Sequence, residues 1–178
     1  MKRNAAVLAV LAILIGFAIY QNIAGARKEP VTAGEQASKA NYSAPAFALS
    51  ALDGNTYQVG GARDKPLVLN FWATWCPPCK QEAPDLADLY DRYKDRVDFY
   101  GINLTQSDKL ADVRQFVSDY RLTFPILLDK DGAVADKYKF VFIPTSYLID
   151  RTGTVREVVN VLTTAEWEKK LNALLKQG

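Results

Sequence analysis

Pro66-Leu67-Val68-Leu69-Asn70-Phe71-Trp72, followed closely by Trp75-Cys76-Pro77-Pro78-Cys79-Lys80, is the stretch that decides the fold. Its first seven residues form a short apolar run without helical spacing, as expected of a central strand buried on both faces of a sheet. The segment from Pro77 to about Lys94 then places Leu86, Leu89, Tyr90 and Tyr93 at i, i+3, i+4 and i+7, the spacing of one apolar helix face. Pro84 falls inside this helix and should kink it without ending it, because the apolar face continues beyond. A central strand therefore runs into a helix with two cysteines at the junction.

That junction favours thiol chemistry. A thiol at a helix N-terminus feels the positive end of the macrodipole and unpaired amide donors, and both favour the thiolate. Cys76 is thus the attacking sulfur. Cys79, one turn further in, is placed to attack a mixed disulfide formed on Cys76. Both residues between them are proline, which offers no backbone N–H, so Cys76 relies on the Cys79 amide and the dipole. Only a moderate lowering of its pKa follows, which suits a reductant better than a strong oxidant.

Glu82 is three residues beyond Cys79, on the same helix face. Two readings fit: a desolvated carboxyl that accepts the Cys79 proton, or a solvated surface glutamate. Pro144, in Ile143-Pro144-Thr145, also admits two: a strand starter, or a cis proline.

Working outward, Ala46–Leu49 and Tyr57–Val59 flank the turn sequence Asp53-Gly54-Asn55, which predicts an opening β-hairpin. Val97–Leu104 reads as the next strand. Ser107 is placed to cap a second helix with Leu110, Val113, Phe116, Val117 and Tyr120 on one face. Pro125–Leu128 is a short strand and Ala133–Lys137 a turn or two of helix. Thr145–Asp150 and Val155–Val159 are strands joined by Arg151-Thr152-Gly153-Thr154. A capping box from Thr163 to Glu166 starts a last helix presenting Trp167, Leu171, Leu174 and Leu175. Strands alternating with helices and ending in a hairpin plus helix predict a mixed sheet covered on both faces.

The N-terminus is different in kind. After Lys2 and Arg3, no charge appears until Arg27, and Ala5–Tyr20 is long enough to cross a hydrocarbon layer as a helix. The flanking basic residues should stay cytoplasmic and send the rest outward. Residues 1–26 are read as a retained membrane anchor, with a signal peptide cleaved at Ala24-Gly25-Ala26 as the alternative. Residues 27–44 are polar and read as a flexible linker, and residues 45–178 as one folded domain.

Composition excludes several functions. There is no histidine among the 178 residues, which removes Cys-His and Ser-His-Asp catalysis and any His-ligated metal. Two cysteines are too few for a four-ligand zinc site or a disulfide scaffold. Lys and Arg total 22 against 20 acids, and two of the basic residues precede the apolar run, so the domain is neutral and has no footprint for nucleic acid.

Phe71-Trp72-Ala73-Thr74-Trp75-Cys76-Pro77-Pro78-Cys79-Lys80-Gln81-Glu82-Ala83-Pro84, then Thr123-Phe124-Pro125-Ile126 and Ile143-Pro144-Thr145-Ser146-Tyr147-Leu148-Ile149-Asp150, resembles the TlpA/ResA-like family of membrane-anchored thioredoxins. The motifs stand in the family's order and spacing, and the likeness runs from about Ser43 to the C-terminus. It implies an α/β thioredoxin-like fold, a mixed central sheet flanked by helices, with an N-terminal β-hairpin extension. It also implies a cis Pro144 facing the cysteines and an Ile143 backbone offered to a bound peptide. Cytoplasmic thioredoxins carry a buried aspartate where this chain has Asn70. An amide cannot act as a base, which moves that task to Glu82.

The implied catalytic set is Cys76, Cys79 and Glu82, with Trp75, Pro77, Pro78, Ile143 and Pro144 as substrate-binding residues. No metal and no cofactor beyond the redox-active Cys76–Cys79 disulfide is expected. The implied activity is that of a thiol-disulfide oxidoreductase on the extracytoplasmic side of a single-pass anchor, reducing protein disulfides. The family's clients include apocytochrome c before haem attachment and, in a close relative, a spore-envelope protein. Its electron donor is a membrane thiol-transfer protein of the CcdA/DsbD kind. The two prolines between the cysteines resemble the sporulation relative more than the cytochrome c member, which leaves the client open. A disulfide oxidase or isomerase and a non-catalytic peptide-binding module are the competing expectations.

Overall fold

The computed structural model describes residues 40–177. The expected anchor of residues 1–26 and the linker up to Lys39 lie outside the described residues. Among the described residues no helix is long and apolar enough to cross a membrane.

The chain runs through β1 (Tyr42–Ser43), β2 (Phe47–Ser50), β3 (Thr56–Val59), β4 (Leu67–Trp72), α1 (Pro77–Tyr93), β5 (Asp98–Asn103), α2 (Leu110–Asp119), β6 (Ile126–Leu128), α3 (Ala133–Tyr138), β7 (Thr145–Ile149), β8 (Thr154–Val159) and α4 (Thr164–Leu174). Six strands make one mixed sheet in the order β1-β8-β7-β4-β5-β6, in which β5 and β6 run parallel to β4, β7 runs antiparallel to β4 and β8 antiparallel to β7. The β2–β3 hairpin stands apart as a two-stranded sheet. It is fastened to the β6 edge by an Ala51–Leu127 bridge and by the Leu52 amide donating to Ile126 O at 2.9 Å. Gly54 holds the hairpin turn at φ +86°, a conformation that costs a residue with a Cβ about 1 kcal/mol or more.

All six residues of β4 are buried, as a strand covered on both faces requires. Side chains alternate across the sheet, so Leu67, Leu69 and Phe71 join one core with the hairpin and Tyr138 of α3. Val68 and Trp72 join the other, beneath Leu86 and Leu89 of α1 and Trp167 and Leu171 of α4. Asn70 shares the parity of Val68 and Trp72, so an amide is placed under α1 in an otherwise apolar row. Its antiparallel partner on β7 is Ser146. A polar cross-strand pair is thereby set beneath the helix that carries the cysteines.

The expected hairpin, central strand, long helix, closing β-hairpin and capping box are present. In the capping box, the Glu166 amide donates to Thr163 Oγ1 and the Thr163 amide donates to Glu166 Oε2. Helix α1 continues through Pro84 to Tyr93.

Three expectations are corrected. Ser107 does not cap α2: it closes a 3₁₀ turn, donating to Leu104 O, and α2 begins behind Lys109 with no side-chain cap. The reason is tertiary. Asp108, next to Ser107, spends its carboxylate on the Thr74 amide at 2.7 Å, the Thr74 hydroxyl and Asn103 Nδ2, tying this loop to the cysteine loop. Leu110, expected on the buried face, is 40% exposed because the helix starts there. In addition, Tyr42 and Ser43 pair with Val155 and Thr154 of β8, so the sheet begins inside the segment read as linker.

Candidate active site

Strand β4 delivers the chain to the top of α1, and the turn between them is fixed by backbone. The Cys76 amide donates to Ala73 O at 3.3 Å, and Lys80 N donates to Cys76 O at 3.2 Å. Cys76 is the N-cap residue, with extended φ −88° and ψ 110°, and Pro77 and Pro78 fill the first two helical positions. Proline suits these positions, where an N–H would have no intrahelical partner. Cys76 and Cys79 form a disulfide with Cα atoms 5.3 Å apart. The Cys79 amide donates to Cys76 Sγ at 3.2 Å, the single backbone donor that the two prolines leave at this end.

Facing the disulfide is the loop before β7. The Ile143–Pro144 peptide bond is cis, and Ile143 O lies 3.7 Å from Cys76 Sγ. Asn160 Nδ2 donates to Pro144 O at 3.0 Å and to Thr145 Oγ1 at 2.9 Å, and that hydroxyl donates to Phe142 O. Asn160 therefore secures the loop from the end of β8, a role that sequence reading missed for want of any local signal. Around the pair, Pro77, Pro78 and Trp75 are exposed, Ile143 is half-buried and Pro144 is buried. Trp75 is anchored by its indole N–H donating to Ser107 O at 3.0 Å. Val141, 92% exposed, and Phe142, 58% exposed, extend this apolar surface beyond the residues expected from sequence.

Exposure does not separate the two sulfurs. Both cysteines are only 3% exposed, so Cys76 does not lie open at the helix end. The cis-proline loop covers Cys76, and Cys79 faces the core, beside a void of about 10 Å³ bounded by Asn70, Trp72, Ala83 and Leu86. What distinguishes them is position: Cys76 caps the helix, and Cys79 lies within it.

Glu82, one turn beyond Cys79, is 2% exposed and so is not a surface glutamate. Its Oε2 accepts from Asn70 Nδ2 at 3.2 Å, and Asn70 Nδ2 also donates to Ser146 Oγ at 2.8 Å. Its Oε1 has no hydrogen-bond partner among the described residues. Desolvation pushes the carboxyl up from 4.5 to about 7; contacts with Asn70 and Trp167 oppose the rise and the charge of Asp85 adds to it. A carboxyl poised near neutrality, one turn from a buried thiol, has the proton affinity that general base work requires. Cys76, Cys79, Glu82, Ile143 and Pro144 thus converge at one end of the sheet. Asn70 entered from sequence only as the position lacking a base, and Ser146 and Trp167 were not read as site residues at all.

The AhpC/TSA family model matches residues 40–158. Thiol-disulfide oxidoreductase ResA of Oceanobacillus iheyensis is 35% identical over 187 aligned residues, covering 99% of this chain and 92% of its own. Thioredoxin-like protein YneN of Bacillus subtilis is 41% identical over 131 residues, 72% of this chain and 76% of its own. The crystal structure of StoA from Bacillus subtilis superposes with a TM-score of 0.63 at 32% identity, covering 72% of this chain and 96% of that one.

Proposed function

The chain belongs to the AhpC/TSA family and is a thiol-disulfide oxidoreductase of ResA/StoA type, and from that premise we propose that it reduces disulfides in client proteins outside the cell membrane. The observation that carries the direction of the reaction is the short supply of donors at Cys76. One amide and the dipole stabilise its thiolate, where a strong oxidant needs a very stable one.

In the reducing direction the Cys76 thiolate attacks a client disulfide. One client sulfur leaves as a thiolate that takes a proton from water, and the other is held in a mixed disulfide with Cys76. Cys79 gives its proton to the Glu82 carboxylate and its sulfur attacks Cys76 Sγ. The Cys76–client bond breaks, and the second client thiolate departs and is protonated by water. The client disulfide gains two electrons, and the Cys76–Cys79 dithiol becomes the disulfide seen here. A dithiol donor must then reduce it, for which a membrane thiol-transfer protein of the CcdA/DsbD kind is our proposal. Residues 1–26 serve in this scheme as a retained anchor.

The client segment lies across Trp75, Pro77 and Pro78 and pairs with the Ile143 backbone beside Pro144. Apocytochrome c is the proposed client class, as the ResA likeness suggests. A spore-envelope protein is the second reading, favoured by the two prolines between the cysteines. Cys79→Ala removes the resolving sulfur and should trap clients on Cys76 as mixed disulfides that are released by dithiothreitol. Recovery of no mixed disulfide from cells, together with a reduction potential well above thioredoxin's, would replace the reductant reading with that of an oxidase.

A further inference from the structure

Among the described residues three buried side-chain polar atoms lack a hydrogen-bond partner: Trp72 Nε1, Glu82 Oε1 and Trp167 Nε1. The last two are an acceptor and a donor, on side chains that bear on one another. Helix α4 is docked along α1 by Thr164, whose hydroxyl donates to Asp85 Oδ1 at 2.9 Å, and by the Arg92–Glu168 ion pair. Trp167, one turn beyond Thr164, is fully buried in the core cluster that holds Cys79, Ala83 and Leu86. Its indole is the group from α4 that bears on the Glu82 carboxyl.

Orphaned buried polar atoms are rare, and a pair of them invites a state in which they join. Glu82 Oε2 is engaged by the Asn70 N–H, so the proton of the neutral acid belongs on Oε1. There it opposes the indole N–H, donor against donor, and the contact stays open. When the carboxyl ionises, Oε1 becomes a pure acceptor and a charge-assisted bond can close.

We propose that Trp167 is a positioning residue for Glu82, its indole N–H closing on Oε1 of the carboxylate and releasing it when the carboxyl accepts the Cys79 proton. The inference rests on reading Glu82 as the base and adds the group that sets when it is ionised. Among the described residues, Asp85 of α1 is the charged group that bears on Glu82. Asn70 and Trp167, which meet it from β4 and α4, and Ser146 of β7, which backs Asn70, do not ionise in the working range.

The test is NMR on the full-length oxidised protein, in which the cysteines do not titrate. The Trp167 indole ¹H and ¹⁵N signals should move with pH at the same midpoint as the Glu82 carboxyl ¹³C signal, and should stop moving in Glu82→Gln. Trp167→Phe should raise the Glu82 midpoint by roughly one pH unit, the scale of a lost bond to a charged group. It should slow mixed-disulfide resolution up to about tenfold near pH 6 and hardly at pH 9. An indole signal indifferent to pH, or an unmoved Glu82 midpoint in Trp167→Phe, overturns the proposal. The indole titration needs only wild type and Glu82→Gln, so it decides the question even if the phenylalanine variant fails to fold. If Glu82→Gln instead resolves mixed disulfides as fast as wild type from pH 6 to pH 9, it is the base reading that fails, while the titration still decides the contact.

Discussion

Replacing Glu82 by glutamine should change how stability depends on pH in a way that follows from burial alone. The carboxyl titrates near 4.5 when exposed in the unfolded chain and near 7 when buried in the fold. Between those values the folded state keeps a proton that the unfolded state has lost, so unfolding releases protons and stability falls as pH rises. The loss begins above pH 4.5, is complete once the pH exceeds about 7, and does not return at higher pH. At about 1.4 kcal/mol per pH unit, that window corresponds to roughly 3 kcal/mol. Glutamine has nearly the same shape and no proton to lose. The assay is urea unfolding of the oxidised protein, wild type and variant in parallel from pH 4 to pH 8. The variant should gain about 3 kcal/mol on wild type across that range, through a shift of midpoint at constant slope. Groups other than Glu82 cancel in the difference. A difference curve flat to within about 0.5 kcal/mol would show that Glu82 is solvated, and the argument from its burial would fall.

In the reduced protein Cys76 should react with iodoacetamide faster than Cys79 and down to lower pH, because it caps the helix; since both are equally covered, equal rates would show that position contributes nothing. Asp150 is fully buried, and although burial pushes its carboxyl up, bonds from Thr152, Thr154 and Arg156 outweigh that and hold it below the ordinary range. Asp150→Asn should cost about 1–3 kcal/mol at neutral pH. That difference should persist above pH 3.8 and shrink as pH falls through the lowered value, so one that is unchanged in acid would refute the assignment. The anchor reading predicts that the protein stays with membranes through high-salt washing with Lys2 and Arg3 still present. A soluble form starting at Arg27 would establish cleavage instead.

What could be read from the sequence was set by local rules with a short reach. The continuous burial of β4, the apolar stripe of α1 and the capping box at Thr163 each depend on neighbours within a few residues, and each is present. Ser107 failed where a local rule met a tertiary competitor: Asp108 beside it bonds Thr74, which is distant in the chain, and the helix start moved past both. Strand β1 left no trace because two residues on an edge make no pattern. The coverage of Cys76 was equally hidden. It depends on a loop from before β7, and that loop in turn is held by Asn160.

Glu82 shows the boundary most clearly. Its distance from Cys79 along the helix fixed the face it occupies, yet an exposed carboxylate would satisfy that spacing equally well. Its character comes from three other segments: Asn70 on β4, backed by Ser146 on β7, and Trp167 on α4. They supply one hydrogen bond, a dry wall and an indole N–H, too little to keep the carboxyl ionised as a surface acid would be and enough to leave it near neutrality. A fully satisfied carboxylate would be too weak a base for a thiol, and an apolar side chain would be more stable but inert. The unmet hydrogen-bonding capacity at Oε1 is therefore what the proposed role asks for, a base that takes a proton from Cys79 and loses it again to solvent within each cycle.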